Sequence, residues 1–286
     1  MDGKSFDVGI IGGDGKMGSF LKKAFEKEHT VYVSDKESKL SNVDLVKKCN
    51  VIIVSVPIRE TVSVIEEISP HLTEDHLLLD VCSLKEKPCR AMAKTKAHVV
   101  GMHPMFAPSC GSMENQTVVL CPLKETPRLS CMKGFFESAH ARVVVTTPEN
   151  HDKMMGIIQC LTHFISIVYV LTMKNLDVEI KELVDYASPV YLIELLMSGR
   201  ILAQDKSLYT DIQMQNPKSP EVLKAFSEAT LFLETLVKEG NVDGFEKTFE
   251  ELSNYLGPLK KTASEVSSEL VKVVNNKKET ILKSAK

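Results

Sequence analysis

The sequence predicts an α/β N-terminal domain with a mainly parallel sheet, followed by an all-α C-terminal domain. Short β-rich apolar runs alternate with amphipathic segments up to about residue 146, and beyond that point only long helical patterns remain. A glycine-rich segment directly follows the first apolar run. With 286 residues, 43% of them hydrophobic, the chain is long enough for two ordinary domains that each bury a core.

Seven short runs are predicted strands. They are nearly continuous in apolar residues, as is typical of parallel strands covered on both faces. They span residues 6–11, 30–34, 51–56, 76–81, 97–102, 117–121 and 141–146. Between the first two runs, helical spacing of apolar residues predicts an amphipathic helix over residues 16–28. Strands that alternate with helices in this way indicate a sheet with helices on both sides.

The second half of the chain predicts helices only, and we place the boundary between the domains at the segment "TPEN" (147–150). Pro148 and Asn150 suit the start of a helix there. This gives an α/β domain over residues 1–148 and an all-helical domain over residues 149–286. The predicted helices of this second domain span residues 151–173, 177–200, 219–238, 243–254 and 258–284.

One helical run, residues 154–173, is apolar over about 20 residues, the length of a membrane span. Gln159, Thr162, His163 and Ser166 interrupt it, and unpaired polar groups are costly inside a bilayer. We therefore expect a helix buried on most sides of a soluble domain, because all-round apolarity also marks core helices. A membrane-spanning helix is the alternative.

Composition argues against several classes of protein. The net charge of −3 disfavours nucleic-acid binding, which usually requires a basic excess. Seven cysteines at irregular spacings, with no C-x-x-C, predict reduced thiols rather than a disulfide framework or a metal site. The first residues lack the basic and apolar regions of a signal peptide. We expect a cytoplasmic protein that binds no metal, no nucleic acid and no membrane.

The first strand leads into the pattern G-x-G-x-x-G, formed by Gly13, Gly15 and Gly18. In a Rossmann-type domain these glycines allow, in turn, a tight turn, close approach of a pyrophosphate and close packing of helix on strand. The helix that starts at Lys16 and Met17 would offer its backbone N–H groups and positive dipole end to the phosphates. The predicted cofactor is therefore a dinucleotide.

An acidic residue sets the predicted cofactor preference. Asp35 follows the second strand, about 20 residues after the glycines, where a carboxylate accepts hydrogen bonds from the ribose hydroxyls. It would also repel a 2′-phosphate, so NAD is favoured over NADP, although Lys36 follows and could soften the choice. Asp14 is an unhelpful charge inside such a loop, and we expect its side chain to point outward.

The stretch "GMHPMFAPSCGS" (101–112) places His103 just past a predicted parallel strand. Open α/β sheets bind ligands at the carboxyl ends of their strands. An imidazole titrates near neutral pH, so His103 suits acceptance of a proton from a substrate hydroxyl. We expect Pro104 to turn the chain away from the sheet and to restrict the backbone of His103 to extended conformations.

Several segments together resemble the TyrA-type prephenate/arogenate dehydrogenases, and look closest to the dehydrogenase part of bacterial bifunctional chorismate mutase–prephenate dehydrogenases. The resemblance covers about residues 6–255, and its specific blocks are "HPMF" and "GRILAQD". It implies NAD-dependent oxidative decarboxylation of prephenate to 4-hydroxyphenylpyruvate in tyrosine biosynthesis, by a homodimer. Arogenate is the alternative substrate. A β-hydroxyacid-type dehydrogenase, a pyrroline-carboxylate reductase and a non-catalytic nucleotide sensor are more distant alternatives.

The resemblance also implies residue roles in catalysis. His103 would accept the proton, and Ser83 would lie beside it and the nicotinamide, unless Ser83 only caps the following helix. Val56 and Pro57 would line the nicotinamide side of the cofactor site, with ordinary strand-end packing as the alternative.

A second group of implied roles concerns the substrate. Arg200 would hold a substrate carboxylate through its planar fork, unless it pairs with Asp205 or Glu194. His163 would contact the substrate and Tyr209 its ring, with core packing as the alternative for both. His151 either joins the domains or lies near the cofactor.

The sequence departs from the family pattern at Ala107, Ser109 and Leu192. Family members often have a glycine and an acid at the first two positions and, in bifunctional proteins, an arginine at the third. These changes weaken any inference about an ionic gate over the site or about inhibition by tyrosine.

Overall fold

The structure is a computed structural model that describes residues 6–124 and 127–285. The chain divides into two compact units. The first unit runs to Gly156 and also includes Thr210–Lys218, whereas the second comprises Ile157–Tyr209 and the chain from Ser219 onward. The segment Thr210–Lys218 thus folds with the N-terminal unit.

A seven-stranded sheet is the centre of the first unit. Its strands are β1 (Asp7–Ile11), β2 (Thr30–Ser34), β3 (Val51–Val54), β4 (Leu77–Asp80), β5 (His98–Pro104), β6 (Thr117–Pro122) and β7 (Arg142–Val145). Their order in the sheet is β2-β1-β3-β4-β5-β6-β7. All neighbours are parallel except β5 and β6, which are antiparallel. Every predicted strand is present, and the predicted mainly parallel α/β fold class is confirmed.

Helices of the first unit follow the strands. They are α1 (Lys16–Phe25), α2 (Asn42–Lys48), α3 (Ile58–Ile68), α4 (Glu86–Met92), α5 (Pro127–Ser138) and α6 (Pro148–Met155). Two of these helices are capped at the N-terminus by a side-chain oxygen. Ser41 Oγ accepts the Asp44 N–H of α2 at 3.1 Å, and Thr147 Oγ1 accepts the Asn150 N–H of α6 at 3.2 Å. Such caps satisfy N–H groups that have no partner inside the helix.

The sheet buries a different apolar cluster on each face. Ile10 of β1 belongs to one cluster together with Phe25 and Phe136, whereas the next residue, Ile11, belongs to the other together with Ile65. Consecutive side chains of a strand point to opposite faces, so a continuous apolar run serves both cores. This explains why the strands could be predicted from composition.

The second unit is helical throughout its described residues. A π-helical turn at Gly156–Leu161 leads from the first unit into α7 (Thr162–Asn175). The further helices are α8 (Ile180–Asp185), α9 (Pro189–Leu202), α10 (Lys206–Gln215), α11 (Ser219–Lys238), α12 (Val242–Leu256) and α13 (Leu259–Ser284). The part of α10 from Thr210 onward belongs to the first unit. The predicted helix over 177–200 is divided before Pro189, where Ser188 Oγ accepts the Tyr191 N–H at 3.2 Å. The polar helix α10 was not predicted.

The apolar run over residues 154–173, which extends into α7, is less buried than predicted. Pro148–Asn175 is, in the described part of the chain, the one helical stretch long and apolar enough to cross a membrane by length and composition, a condition that core helices of soluble proteins also meet. Only 17% of its apolar window is buried. The expectation of burial on most sides is wrong for the single chain, because neighbouring helices cover only part of this surface.

Candidate active site

The order of the sheet changes direction at β1, since β2 lies on one side of it and β3 on the other. In open α/β sheets, ligands bind outside the carboxyl ends of the strands at such a switch point. β1 leads there into the glycine segment, and β3 leads into Val56 and Pro57.

The glycine segment packs too tightly for any side chain at three positions. Gly12 has a φ of +78°, and a methyl group on it would lie 2.3 Å from the Ser55 carbonyl oxygen. A methyl group on Gly18 would lie 2.2 Å from the Gly12 carbonyl oxygen, and one on Gly13 would lie 2.4 Å from Val33 Cγ1. We expected the tight turn at Gly13, and the glycine with a positive φ is the preceding one, Gly12. Gly18 does provide the predicted close packing of α1.

The start of α1 is open toward solvent. Gly15 holds the cap position without a side-chain cap, and the first turn contains no acidic residue. A methyl group on Gly15 would approach only the Gly12 carbonyl oxygen, at 3.2 Å. Lys16 is exposed and Met17 is half-buried. Uncapped N–H groups at the positive end of a helix dipole fit an anionic pyrophosphate.

Asp35 is held beside the glycine segment. Its Oδ2 accepts the Asp14 N–H at 3.1 Å, and its Oδ1 accepts the Lys36 N–H at 2.8 Å. Asp14 is exposed, as expected. Lys36 Nζ lies 3.4 Å from Glu60 Oε1, so an acid partner is available to the lysine that follows Asp35.

Val56 and Pro57 lie directly after β3. Val56 is half-buried, and its Cγ1 would be 3.1 Å from a methyl group on Gly12. Pro57 is exposed and occupies the cap position of α3. Val56, one of the two residues predicted for the cofactor wall, therefore borders the glycine turn, and Pro57 follows it in the chain.

His103 lies within β5 rather than past its end. β4 ends at Asp80, opposite Gly101, so the end of β5 extends beyond the carboxyl end of its parallel neighbour. His103 and Pro104 both pair with β6. The prediction that Pro104 turns the chain away from the sheet is wrong, because an antiparallel strand continues the pairing there.

His103 is the end of a buried row of side chains. Its Nδ1 lies 2.9 Å from His151 Nε2, and His151 Nδ1 lies 2.7 Å from Asp152 Oδ1. Burial lowers the pKa of His103 well below its ordinary value, and the charges of His151 and Lys85 act in the same direction. Burial also lowers the pKa of His151, against the opposing effect of Asp152. Both shifts favour the neutral imidazole, the form in which His103 can accept a proton.

The first unit also contains a buried ion pair, formed by Lys85 and Asp80. Lys85 Nζ donates to Asp80 Oδ2, which also accepts the Cys82 N–H at 3.0 Å, and both charged side chains are fully buried. Ser83 lies half-buried between these residues in the chain. It does not cap α4, as one alternative had it. The cap position is Lys85, and Asp152 accepts the N–H groups of Lys85 and Glu86 at 2.7 and 2.9 Å.

The second unit brings three predicted substrate residues together. The rings of His163 and Tyr209 meet edge to face at 4.7 Å and 71°. Burial raises the pKa of Tyr209, and the charge of Arg200 opposes it. Arg200 is exposed on α9, and within the described residues it forms no ion pair with Asp205 or Glu194. Burial lowers the pKa of His163, whose Nδ1 has no hydrogen-bond partner among the described residues.

Comparison with known proteins identifies the chain's relatives. Residues 4–145 match the nucleotide-binding domain of prephenate dehydrogenase, and residues 147–251 match its dimerization domain. Over 274 residues the chain is 36% identical to a probable arogenate/prephenate dehydrogenase of Methanocaldococcus jannaschii, covering 94% of this chain and 59% of that relative. It is 32% identical over 271 residues to the T-protein of Enterobacter agglomerans, covering 94% of this chain and 72% of the relative. The chain belongs to the prephenate dehydrogenase family.

Solved structures of this family share the fold. The prephenate dehydrogenase of Aquifex aeolicus, solved with hydroxyphenyl propionate and NAD+, has a TM-score of 0.70 at 21% identity, covering 92% of this chain and 99% of that one. Synechocystis arogenate dehydrogenase has a TM-score of 0.67 at 18% identity, covering 87% and 98%. The chain spans 59% of the length of its Methanocaldococcus relative.

The departures from the family pattern have different surroundings. Leu192 is fully buried in a cluster of the second unit with Val184 and with Val274 of α13. A charged arginine at this position would lack room and partners, which gives a physical reason for the leucine. Ala107 is half-buried and Ser109 is exposed, and nothing in the structure explains these two changes.

Sequence reasoning missed four residues of this candidate site. Gly12 precedes the G-x-G-x-x-G pattern, and its positive φ shows that it is the turn residue. Asp152, Asp80 and Lys85 depend on contacts between distant parts of the chain. The available signal was the adjacent His151–Asp152 pair, since a carboxylate next to a histidine is a common orienting partner.

Proposed function

We propose that this chain catalyses NAD-dependent oxidative decarboxylation of prephenate to 4-hydroxyphenylpyruvate, a step of tyrosine biosynthesis. The observation that carries this proposal is His103, a buried neutral imidazole at the carboxyl edge of the sheet, in a chain of the prephenate dehydrogenase family. Arogenate is the second candidate substrate, because the name of the Methanocaldococcus relative gives both arogenate and prephenate.

The first unit fits NAD as its dinucleotide. The tight glycine turn, the uncapped start of α1 and the carboxylate of Asp35 would hold the pyrophosphate and a ribose, and Asp35 would exclude a 2′-phosphate. Val56 and Pro57 would line the nicotinamide side. When bound, NAD supplies the acceptor for a hydride.

The proposed reaction consists of hydride loss, proton transfer and decarboxylation. The C4–H bond of prephenate breaks and its electron pair leaves with the hydride, while the C4 hydroxyl proton passes to His103. The bond to the ring carboxylate breaks, its electrons enter the ring, and CO2 departs as the ring becomes aromatic. His103 then returns its proton to the phenolate oxygen of the product.

Other side chains would orient the substrate. Ser83 has a hydroxyl that makes no hydrogen bond within the part of the chain described, so it can both donate to and accept from a ligand. The exposed fork of Arg200 suits the side-chain carboxylate. His163 and Tyr209 would contact the rest of the substrate, with the free Nδ1 of His163 as a further polar contact.

The contacts of the second unit favour a keto acid over an amino acid. The described partners of His163, Tyr209 and Arg200 include no carboxylate that could neutralise the ammonium group of arogenate. A keto group needs no such partner. This supports prephenate as the preferred substrate.

We further propose a cytoplasmic homodimer. Residues 147–251 match the family's dimerization domain, and many large apolar side chains of the second unit are exposed in the single chain. All seven cysteines are free thiols, which suits a reducing compartment.

Turnover of purified protein tests the function. NADH absorbance is followed with prephenate or arogenate as substrate, and with NAD or NADP as cofactor. We expect the highest kcat/KM with prephenate and NAD. Loss of all four activities contradicts the reaction, whereas a preference for arogenate contradicts only the substrate.

Two substitutions separate the chemical step from substrate binding. His103→Asn should lower kcat by about 10²- to 10⁴-fold with little change in KM, because it removes a general base. Arg200→Gln should mainly raise KM, because it removes a bidentate carboxylate contact. Steady-state kinetics of both variants provide the measurement. Near-normal turnover of His103→Asn would show that another group accepts the proton.

A further inference from the structure

Three buried side chains form a continuous hydrogen-bonded row in the first unit. His103 Nδ1 meets His151 Nε2 at 2.9 Å, and His151 Nδ1 meets Asp152 Oδ1 at 2.7 Å. His103 is 3% exposed, and His151 and Asp152 are each 1% exposed. Within the described residues, the Nε2 atom of His103 has no hydrogen-bond partner. One nitrogen of His103 is therefore engaged by the protein and the other is available to a ligand.

The carboxylate sets the direction of the hydrogen bonds. Asp152 Oδ1 also accepts the Lys85 N–H and Oδ2 accepts the Glu86 N–H, so both oxygens already act as acceptors. His151 must then carry its hydrogen on Nδ1 to donate to Asp152. A neutral His151 is left with an unprotonated Nε2, which can only accept a hydrogen bond. The donor to that atom must be the N–H at Nδ1 of His103.

We propose that Asp152 and His151 are positioning residues that hold His103 in the tautomer with hydrogen on Nδ1 and a free electron pair on Nε2. In this tautomer Nε2 accepts the hydroxyl proton directly, and no proton has to leave Nδ1 first. The consequence for catalysis rests on the proposed function, whereas the tautomer itself is a property of the protein alone.

The charges around the row affect how readily His103 takes up a proton. The Lys85 ammonium disfavours protonation of both histidines, and its partner Asp80 partly offsets this effect at His151. Asp152 is the carboxylate in direct contact with the row, and it favours the protonated form. Once His103 has taken a proton, the positive charge is stabilised through His151 by Asp152. Removing that carboxylate should lower the pKa of the base.

The Asp152→Asn variant tests the proposed tautomer of His103 most directly. The amide oxygen can still accept one of the two backbone N–H groups, while the amide nitrogen donates to His151 Nδ1. This reverses the row: His151 then donates from Nε2, and His103 carries its hydrogen on Nε2, the wrong nitrogen for accepting a proton. The removal of an orienting aspartate from a catalytic histidine can cost about 10⁴-fold in kcat by this effect.

The tautomer is read from ¹⁵N NMR of the full-length protein labelled at histidine, without ligand, at pH 7.5. In the wild type, we expect a protonated-type shift for His103 Nδ1 and an unprotonated-type shift for Nε2, with the two exchanged in Asp152→Asn. His151→Leu gives an independent check, since His103 should then populate both tautomers. A wild-type His103 with hydrogen on Nε2, or an unchanged tautomer in both variants, would overturn the proposal.

Kinetics provide the second readout. Asp152→Asn should lower kcat by about 10²- to 10⁴-fold with KM within about threefold, and should move the acid limb of the kcat/KM profile to lower pH. Asp211→Asn is the matched control, because Asp211 is a nearly buried carboxylate of the same unit that pairs with Arg59 at 3.0 Å and should leave the acid limb unmoved. An acid limb that stays in place in Asp152→Asn would contradict the proposal. If the wild type turns over no substrate, the proposed function fails, but the ¹⁵N spectrum still decides the tautomer.

Discussion

Lys85 places an ammonium group in the interior of the first unit, and a glycine makes room for it. A methyl group on Gly101 would lie 3.0 Å from Lys85 Cδ and 2.5 Å from Cys89 Sγ. Gly101, which precedes the segment "HPMF", thus leaves room for the lysine side chain next to β5. Because Lys85 and Asp80 are both fully buried, each depends on the other for compensation of its charge.

Lys85→Met should lower the free energy of unfolding by about 3–5 kcal/mol, because it leaves Asp80 as an uncompensated buried carboxylate. The double variant Asp80→Leu/Lys85→Met should recover most of that loss. Urea unfolding followed by circular dichroism measures both. Lys22→Met is a control, since Lys22 forms an exposed pair with Glu26 at 3.4 Å and should change stability by less than about 1 kcal/mol. A double variant as unstable as Lys85→Met would show that the charge imbalance is not the cause.

At the scale of elements, sequence periodicity predicts what local composition determines. The seven strands and helices such as α11 and α13 could be predicted because their apolar patterns are continuous. The antiparallel direction of β6 could not, because the apolar run of β6 has the composition of a parallel strand. The helix α10 was missed because its sequence "KSLYTDIQMQ" shows only weak apolar periodicity.

Local sequence patterns likewise predict only part of the candidate site. The glycine loop, Asp35 and His103 are visible in the sequence because each stands at a predictable place relative to a strand. Asp152 contacts Lys85 and Glu86 across a separation of 67 and 66 residues. No local pattern encodes such a contact, and so the capping of α4 by a residue of α6 required the structure.

The packing of α1 on the glycine turn gives a prediction at this scale. Gly18→Ala places a methyl group 2.2 Å from the Gly12 carbonyl oxygen, so helix and turn must separate. We expect NAD affinity, measured by calorimetry, to fall by at least about tenfold, equivalent to about 1.4 kcal/mol. Gly134→Ala in α5 is the matched control: its methyl group meets no atom within 4 Å, and it should leave NAD affinity unchanged while stabilising the helix slightly. Equal affinities in the two variants would mean that the turn tolerates displacement.

At the scale of the whole molecule, the second unit exposes apolar surface in an ordered pattern. Along α12, Val242, Phe245, Phe249, Leu252 and Leu256 follow a spacing of three and four residues, which places them on one face. Their exposed fractions run from 43% for Phe245 to 71% for Phe249. A face of this kind is costly in water. The match of residues 147–251 to a dimerization domain identifies a second copy of this chain as the expected cover.

Phe249→Glu should therefore convert a dimer into a monomer, because dimerisation would bury the new carboxylate without a partner. Light scattering coupled to size exclusion at micromolar concentration measures the mass, and the wild type should have about twice the mass of the variant. Glu250→Gln, on the adjacent exposed position of the same helix, is the control and should remain dimeric. A monomeric wild type would contradict the proposed homodimer. Wild-type protein that partitions into detergent or vesicle fractions would instead support the alternative that the apolar run over residues 154–173 is a membrane-spanning helix. If Phe249→Glu stays dimeric, the contact between copies uses another part of the exposed surface, and the stripe on α12 is not its centre.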